Sequence, residues 1–149
     1  MDRFTYPATL TPASAWEPTE TGFVVDLPDF PEAYTQGETV EKALAAAADC
    51  LRVVVEGRMR DGTELPPPTT TLDGAHPVAI TPLLAAKAAL YQSMREQGVS
   101  NAMLAERLSC GEKEVRRMLD PRHPTRLSRL DTALRALGRR LVVDVRDAA

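Results

Sequence analysis

The sequence predicts an α+β chain of two modules, a small strand-rich module followed by an all-helical one that ends in a strand. Three observations predict it. Apolar residues alternate with period two through the first part of the chain and recur at helical spacing through most of the rest. The run Pro66-Pro67-Pro68 fixes backbone φ and removes amide donors, so neither a helix nor a central strand passes through it. The charge also changes sign near that point. Residues 1–76 carry 5 Lys and Arg against 13 Asp and Glu, a net of -8, whereas residues 77–149 carry 13 against 8, a net of +5. The overall charge of -3 on 149 residues is thus a cancellation. An acidic module over 1–65, a Pro-rich linker over 66–79 and a basic module over 80–149 are expected, with no repeat relating the two modules.

The first module is read as strand, strand, strand, helix. Phe4, Tyr6, Ala8 and Leu10 alternate with Thr5, Pro7 and Thr9, which suits a strand near an edge, because Pro7 cannot donate to a ladder. Phe23, Val25 and Leu27 share one face of a second strand closed by Pro28, and Ala33–Gln36 form a third that stops at Gly37. Thr39 caps a helix whose stripe is Val40, Ala43, Leu44, Ala47, Leu51 and Val54, running to about Glu56 with Gly57 and Gly62 as stops. That leaves room for a short strand over Thr63–Leu65.

The second module reads as four helices. Thr81-Pro82 opens the first, and Leu83, Leu84, Lys87, Leu90, Tyr91 and Met94 follow at helical spacing until Gly98. Ser100 caps the second, where Leu104 and Leu108 face a core and Ala105 is small enough for a close helix approach. A turn at Ser109–Gly111 leads to a third helix with Val115, Met118 and Leu119 inward, the helix-turn-helix pattern. A fourth, over about Leu127–Leu137, presents Leu130, Ala133, Leu134 and Leu137 and ends at Gly138. Leu141, Val142, Val143 and Val145 then form a strand without a partner in a helical module. It is expected to pair with the same strand of a second copy, giving a homodimer or higher homo-oligomer; packing on its own module or on the first sheet is the alternative.

Several function classes are disfavoured by the residue inventory. His76 and His123 are the only histidines and both neighbour prolines, so no His-centred catalytic or metal cluster assembles. Cys50 and Cys110 stand far apart, outside any CxxC pattern, and are read as free thiols. Neither catalytic residues, a metal nor a cofactor is expected. No apolar run approaches the about 20 residues of a membrane span and no basic-then-apolar leader is visible, so the expected compartment is the cytoplasm.

The stretch Leu27-Pro28-Asp29-Phe30-Pro31, then Thr35-Gln36-Gly37 and the helix start Thr39-Val40-Glu41-Lys42-Ala43-Leu44, continuing to Leu65-Pro66, resembles the N-terminal domain of HicB-type antitoxins over about residues 4–68. Lys42 and Glu32-Ala33 depart from the common pattern of that family. The resemblance implies a partial ribonuclease H-like fold that binds a small RNA-cleaving, HicA-like toxin. The expected contacts are Asp29, Phe30, Glu32, Tyr34 and Gln36, although Tyr34 packing against the helix is an equal alternative. Ribonuclease H chemistry itself is not expected, because it needs carboxylates converging on divalent cations and the first strand carries none. An acidic surface suits steering towards a basic toxin.

Residues 83–138 resemble the DNA-binding domains of the Xre/Cro repressor group through Leu104-Ala105, the apolar residue after the turn and Val115, with Ser109 where glycine is usual. A recognition helix reads base edges from its N-terminal positions, which selects Lys113 and Arg117, then Arg116 and Glu112. Asn101 suits a phosphate at a helix start, and Arg122 and Arg126 suit the DNA backbone. The expected function is that of an antitoxin that neutralises a HicA-like toxin and represses its own operon through operator DNA. A stand-alone regulator with a sensing N-terminal domain is the alternative, and an RNA-processing enzyme the third reading.

Overall fold

The computed structural model describes residues 2–70 and 72–147. The chain folds as two compact units, Met1–Thr81 and Pro82–Ala149. The first is built on β1 (Thr5–Pro12), β2 (Phe23–Asp26), β3 (Tyr34–Gly37), α1 (Val40–Asp61) and β4 (His76–Ala79). The sheet has the order β3-β2-β1-β4 and every pairing is antiparallel.

β1 is an interior strand that divides its length between two neighbours. Thr9–Pro12 pair with β2, and Thr5–Ala8 pair with β4. Pro7 therefore lies in the half that has no β2 partner, opposite Pro77. The Ile80 N–H donates to the Phe4 carbonyl, and antiparallel alternation then puts the Pro7–Pro77 pair at a position where the two strands exchange no bonds. Two missing donors cost the sheet nothing there.

One sheet face carries the core. Tyr6, Ala8, Val25 and Val78 are buried, and Ala43, Ala47, Leu51, Val55 and Met59 recur every fourth residue along the buried side of α1. Gly37 permits the close approach of β3 to α1, since a Cβ on it would lie 2.6 Å from the Ala43 Cα. The helix starts where expected, with the Thr39 hydroxyl accepting from the Lys42 N–H at 3.1 Å. It continues past Glu56 and Gly57 to Asp61, because Val55, Glu56 and Met59 are still buried; Val40, placed on the stripe, is exposed.

The segment read as a linker is fastened to the first unit. The Tyr6 hydroxyl donates to the Pro66 carbonyl at 2.9 Å, Asp29 accepts from the Thr69 N–H and hydroxyl, and β4 lies inside 66–79. Thr63–Leu65 form no strand; Leu65 instead buries its side chain.

The second unit comprises α2 (Pro82–Gln97), α3 (Asn101–Leu108), α4 (Glu112–Leu119) and α5 (Leu127–Arg135). Leu90, Leu104, Val115, Met118, Leu130 and Leu134 meet in its core. The Ser100 hydroxyl caps α3 by accepting from the Met103 N–H. Helices α1, α2, α3 and α5 all end in the same six-to-one loop closure, with the donors Thr63, Val99, Cys110 and Arg139 reaching back to Arg58, Met94, Ala105 and Leu134. Glycine occupies the left-handed position in three of them; in the α3–α4 turn Ser109 holds it, at φ 53°. Residues 139–147, which include the strand expected over Leu141–Val145, carry no regular secondary structure, for among the described residues of this unit no neighbouring strand is present to bond them.

Candidate functional site

The helix α4 is amphipathic. Val115 and Met118 are fully buried, while Glu112, Lys113, Arg116 and Arg117 are exposed on the remaining surface. Arg116 lies 3.6 Å from Glu112 one turn earlier, a solvent-exposed pair that binds weakly and exchanges easily. Lys113 and Arg117 have no ion-pair partner among the described residues. Asn101 is half-buried as the first residue of α3.

An open cleft of about 530 Å³ runs beside α4 and is lined by Arg117, His123, Thr125, Arg126, Ser128 and Arg129 among others. It brings together two of the cations selected from sequence, Arg117 and Arg126. It adds one that sequence reasoning missed, Arg129, whose Nε donates to Glu114 at 2.9 Å. The signal for Arg129 was its position three residues after Arg126 at the start of α5, which places the two near one another at the helix entry. Arg122 is exposed, and its N–H donates to the Asp120 carboxylate in the turn after α4. The His123 Nδ1 is buried beside this cleft without a hydrogen-bond partner among the described residues.

Lys87 sits on the apolar stripe of α2, as its spacing implied, and is entirely buried. Its ammonium donates to the carbonyls of Arg117, Asp120 and His123 at 3.1, 2.6 and 2.6 Å. Burial pushes its pKa below the usual lysine value, and the nearby Asp120 charge opposes that shift.

In the first unit the expected contact residues divide. Phe30 is fully buried, edge-on to Tyr6 at 4.8 Å with the Arg58 guanidinium 4.9 Å above its ring, so it is a core residue. Asp29 is committed to Thr69, through its N–H and its hydroxyl. Glu32 forms a two-oxygen pair with Arg58 at 2.7 and 2.9 Å, and that guanidinium holds its carboxyl below the usual range. Tyr34 and Gln36 remain, both exposed on the edge strand β3; Tyr34 is 66% exposed and does not pack against α1. Asp26 stands directly opposite Tyr34 across β2–β3, on the face away from Val25, and was not selected from sequence. Thr9 extends that row on β1.

At the end of the chain the Leu141 N–H donates to Asp131 at 3.1 Å and its half-buried side chain packs on the core. Val142, Val143 and Val145 beyond it are exposed at 70, 68 and 90%. Among the described residues no group of three His, Cys, Asp or Glu could hold a metal ion, and no helix is long and apolar enough to cross a membrane.

Residues 5–89 match the family described as the HicB-like antitoxin of bacterial toxin–antitoxin systems. Antitoxin HicB 2 of Photorhabdus laumondii subsp. laumondii is 38% identical over 126 residues, covering 85% of this chain and 89% of the relative. Antitoxin HicB of Escherichia coli K12 is 32% identical over 136 residues, covering 91% and 95%, and Antitoxin HicB 1 of P. laumondii is 31% identical over 140 residues, covering 94% and 86%. The matched segment holds the whole sheet, α1 and the start of α2, and the relatives extend the likeness across most of the second unit. The chain belongs to the HicB-like antitoxins, a family of antitoxins rather than enzymes.

Proposed function

We propose that the first unit binds and neutralises a HicA-like, RNA-cleaving toxin, and that the second is a helix-turn-helix that represses the operon encoding both. The observation that carries the DNA half is α4, which buries Val115 and Met118 and leaves Lys113 and Arg117 without an ion-pair partner among the described residues, beside the basic cleft of Arg126 and Arg129. Lys113 and Arg117 read base edges in the major groove, with Arg116 and Glu112 next to them. Asn101, Arg122 and Arg126 take backbone phosphates.

The toxin half is supported by the acidic charge of residues 1–76 and by a row across the sheet face opposite α1, exposed Asp26 and Tyr34 with half-buried Thr9, and Gln36 beside it. The three antiparallel strands followed by α1 agree with a partial ribonuclease H-like arrangement. The extended apolar end, anchored at Leu141 and exposed from Val142 to Val145, pairs with its copy in a second chain and sets two α4 helices on a palindromic operator.

The test is co-expression with a small basic reading frame beside the gene, followed by pull-down, growth rescue and a mobility shift on the upstream DNA. Capture of the toxin with rescue, together with a shift, is the expected result. A shift without any toxin captured would favour a stand-alone regulator.

A further inference from the structure

We propose that Lys87 is a positioning residue for DNA reading, whose buried ammonium ties the last turn of α4 and the loop after it to α2 and so sets where Arg117 meets base edges and where Arg122 and Arg126 meet the DNA backbone. This rests on the operator-binding reading above.

The geometry gives Lys87 one task. An ammonium has three protons and no acceptor, and here three carbonyls take them, those of Arg117, Asp120 and His123. These acceptors are the last turn of α4, its cap residue and the loop that leads to Arg126. The final carbonyls of any helix lack partners within the helix, and the Asp120 N–H already serves those of Arg116 and Arg117. Lys87 adds a second donor to the Arg117 carbonyl, donates to the cap carbonyl of Asp120, and places a positive charge at the negative end of the α4 dipole.

Filling the core does not require this residue. The neighbouring buried positions of α2 are Leu84, Ala86, Ala88 and Leu90, and an apolar side chain at 87 would pack as they do but take one donor from each of three carbonyls, leaving Arg117, Asp120 and His123 with only the Asp120 N–H, the His123 N–H and the Thr125 hydroxyl. The N-terminal half of α4 is held separately, by Val115 in the core. A change at Lys87 therefore acts on Arg117, Arg122 and Arg126 and leaves Lys113 in place.

The test is a double-mutant cycle on operator binding by the full chain, read by fluorescence anisotropy. Lys87→Met is expected to lower affinity about tenfold although its side chain touches no DNA, a loss of the size caused by removing a direct contact. In that background the penalty of Arg126→Ala should shrink by about threefold or more, while that of Lys113→Ala stays as in the parent. Unchanged affinity, or unchanged penalties at both sites, overturns the proposal. Should Lys87→Met fail to fold, Lys87→Gln retains two donor protons and runs the same cycle; if it too unfolds the chain, Lys87 is a determinant of folding and the proposal falls. A parent that binds operator and weakens with Lys113→Ala, while Lys87→Met is silent, removes this inference alone. A parent that binds no DNA removes the operator reading and this inference with it.

Discussion

Both units carry ion pairs, and they differ in which charges they leave without an ion partner. In the first, Arg58 is paired with Glu32, Arg52 with Asp49 and Glu56, and Asp29 with Thr69, so much of its charge is tied up in holding the fold. In the second, α4 and its cleft leave Lys113, Arg117 and Arg126 without an ion partner among the described residues, and the one buried cation, Lys87, is satisfied by backbone alone. The difference teaches that net charge locates a module and not its contact surface. In the basic unit the free charges coincide with the exposed face of a helix. In the acidic unit the proposed contact row comes down to Asp26, Tyr34 and their neighbours.

If the second unit reads DNA through paired copies, deleting residues 142–149 should have the largest effect. It spares the Arg139 bonds to Ser93 and Glu96 and the Leu141 anchor. Sedimentation should show a monomer, and operator affinity should fall by about a hundredfold or more through loss of the second half-site. Toxin binding by the first unit should persist. A truncated chain that still sediments as a dimer would sink the strand-pairing account.

A break confined to the first unit comes next. Gly37→Ala forces a methyl against the backbone of Ala43 and should destabilise that unit by roughly 1–3 kcal/mol, seen as a lowered midpoint in chemical unfolding. Operator affinity should be unaffected, and a parallel loss of DNA binding would deny the units their separate roles.

The first unit should also carry an alkaline weakness. The Tyr6 phenol is pushed up to about 12 from 10.0, chiefly by burial, then by the Asp29 charge, with Arg58 opposing. A folded value above the unfolded one means stability that is complete below pH 10 and is lost as pH rises through about 12. Circular dichroism in denaturant should show the first unit weakening above pH 10, and Tyr6→Phe should remove that slope while losing the bond to Pro66. The same slope in Tyr6→Phe would assign it elsewhere. The smallest effect expected is a gain. Ser109→Gly relieves a left-handed backbone in the α3–α4 turn and should stabilise the second unit by about 1 kcal/mol in thermal unfolding.

What the sequence disclosed follows the range of the interactions. Caps and closures are local, so Thr39, Ser100, Gly98 and Gly138 marked their helix ends correctly. The membership of β4 was not legible, because four residues containing Pro77 become a strand only through pairing with Thr5–Ala8, far away in sequence. Phe30 lay in a Pro-bounded turn that reads as surface, and only Tyr6 and Arg58, from distant elements, reveal that it is core. Lys87 was placed on the right helical face, yet its partners are backbone carbonyls, which no side-chain pattern announces. The end of α1 was set five residues short, because Gly57 is a plausible stop unless the burial of Val55 and Met59 carries the helix past it.

The division of labour between the units is tested most directly by one full-length double variant, Lys113→Ala with Arg117→Ala, scored in parallel for operator binding and for rescue of cells expressing the neighbouring toxin. The expected result is a loss of operator affinity of about a hundredfold or more with rescue intact. Loss of both activities, or undiminished operator binding, would contradict it.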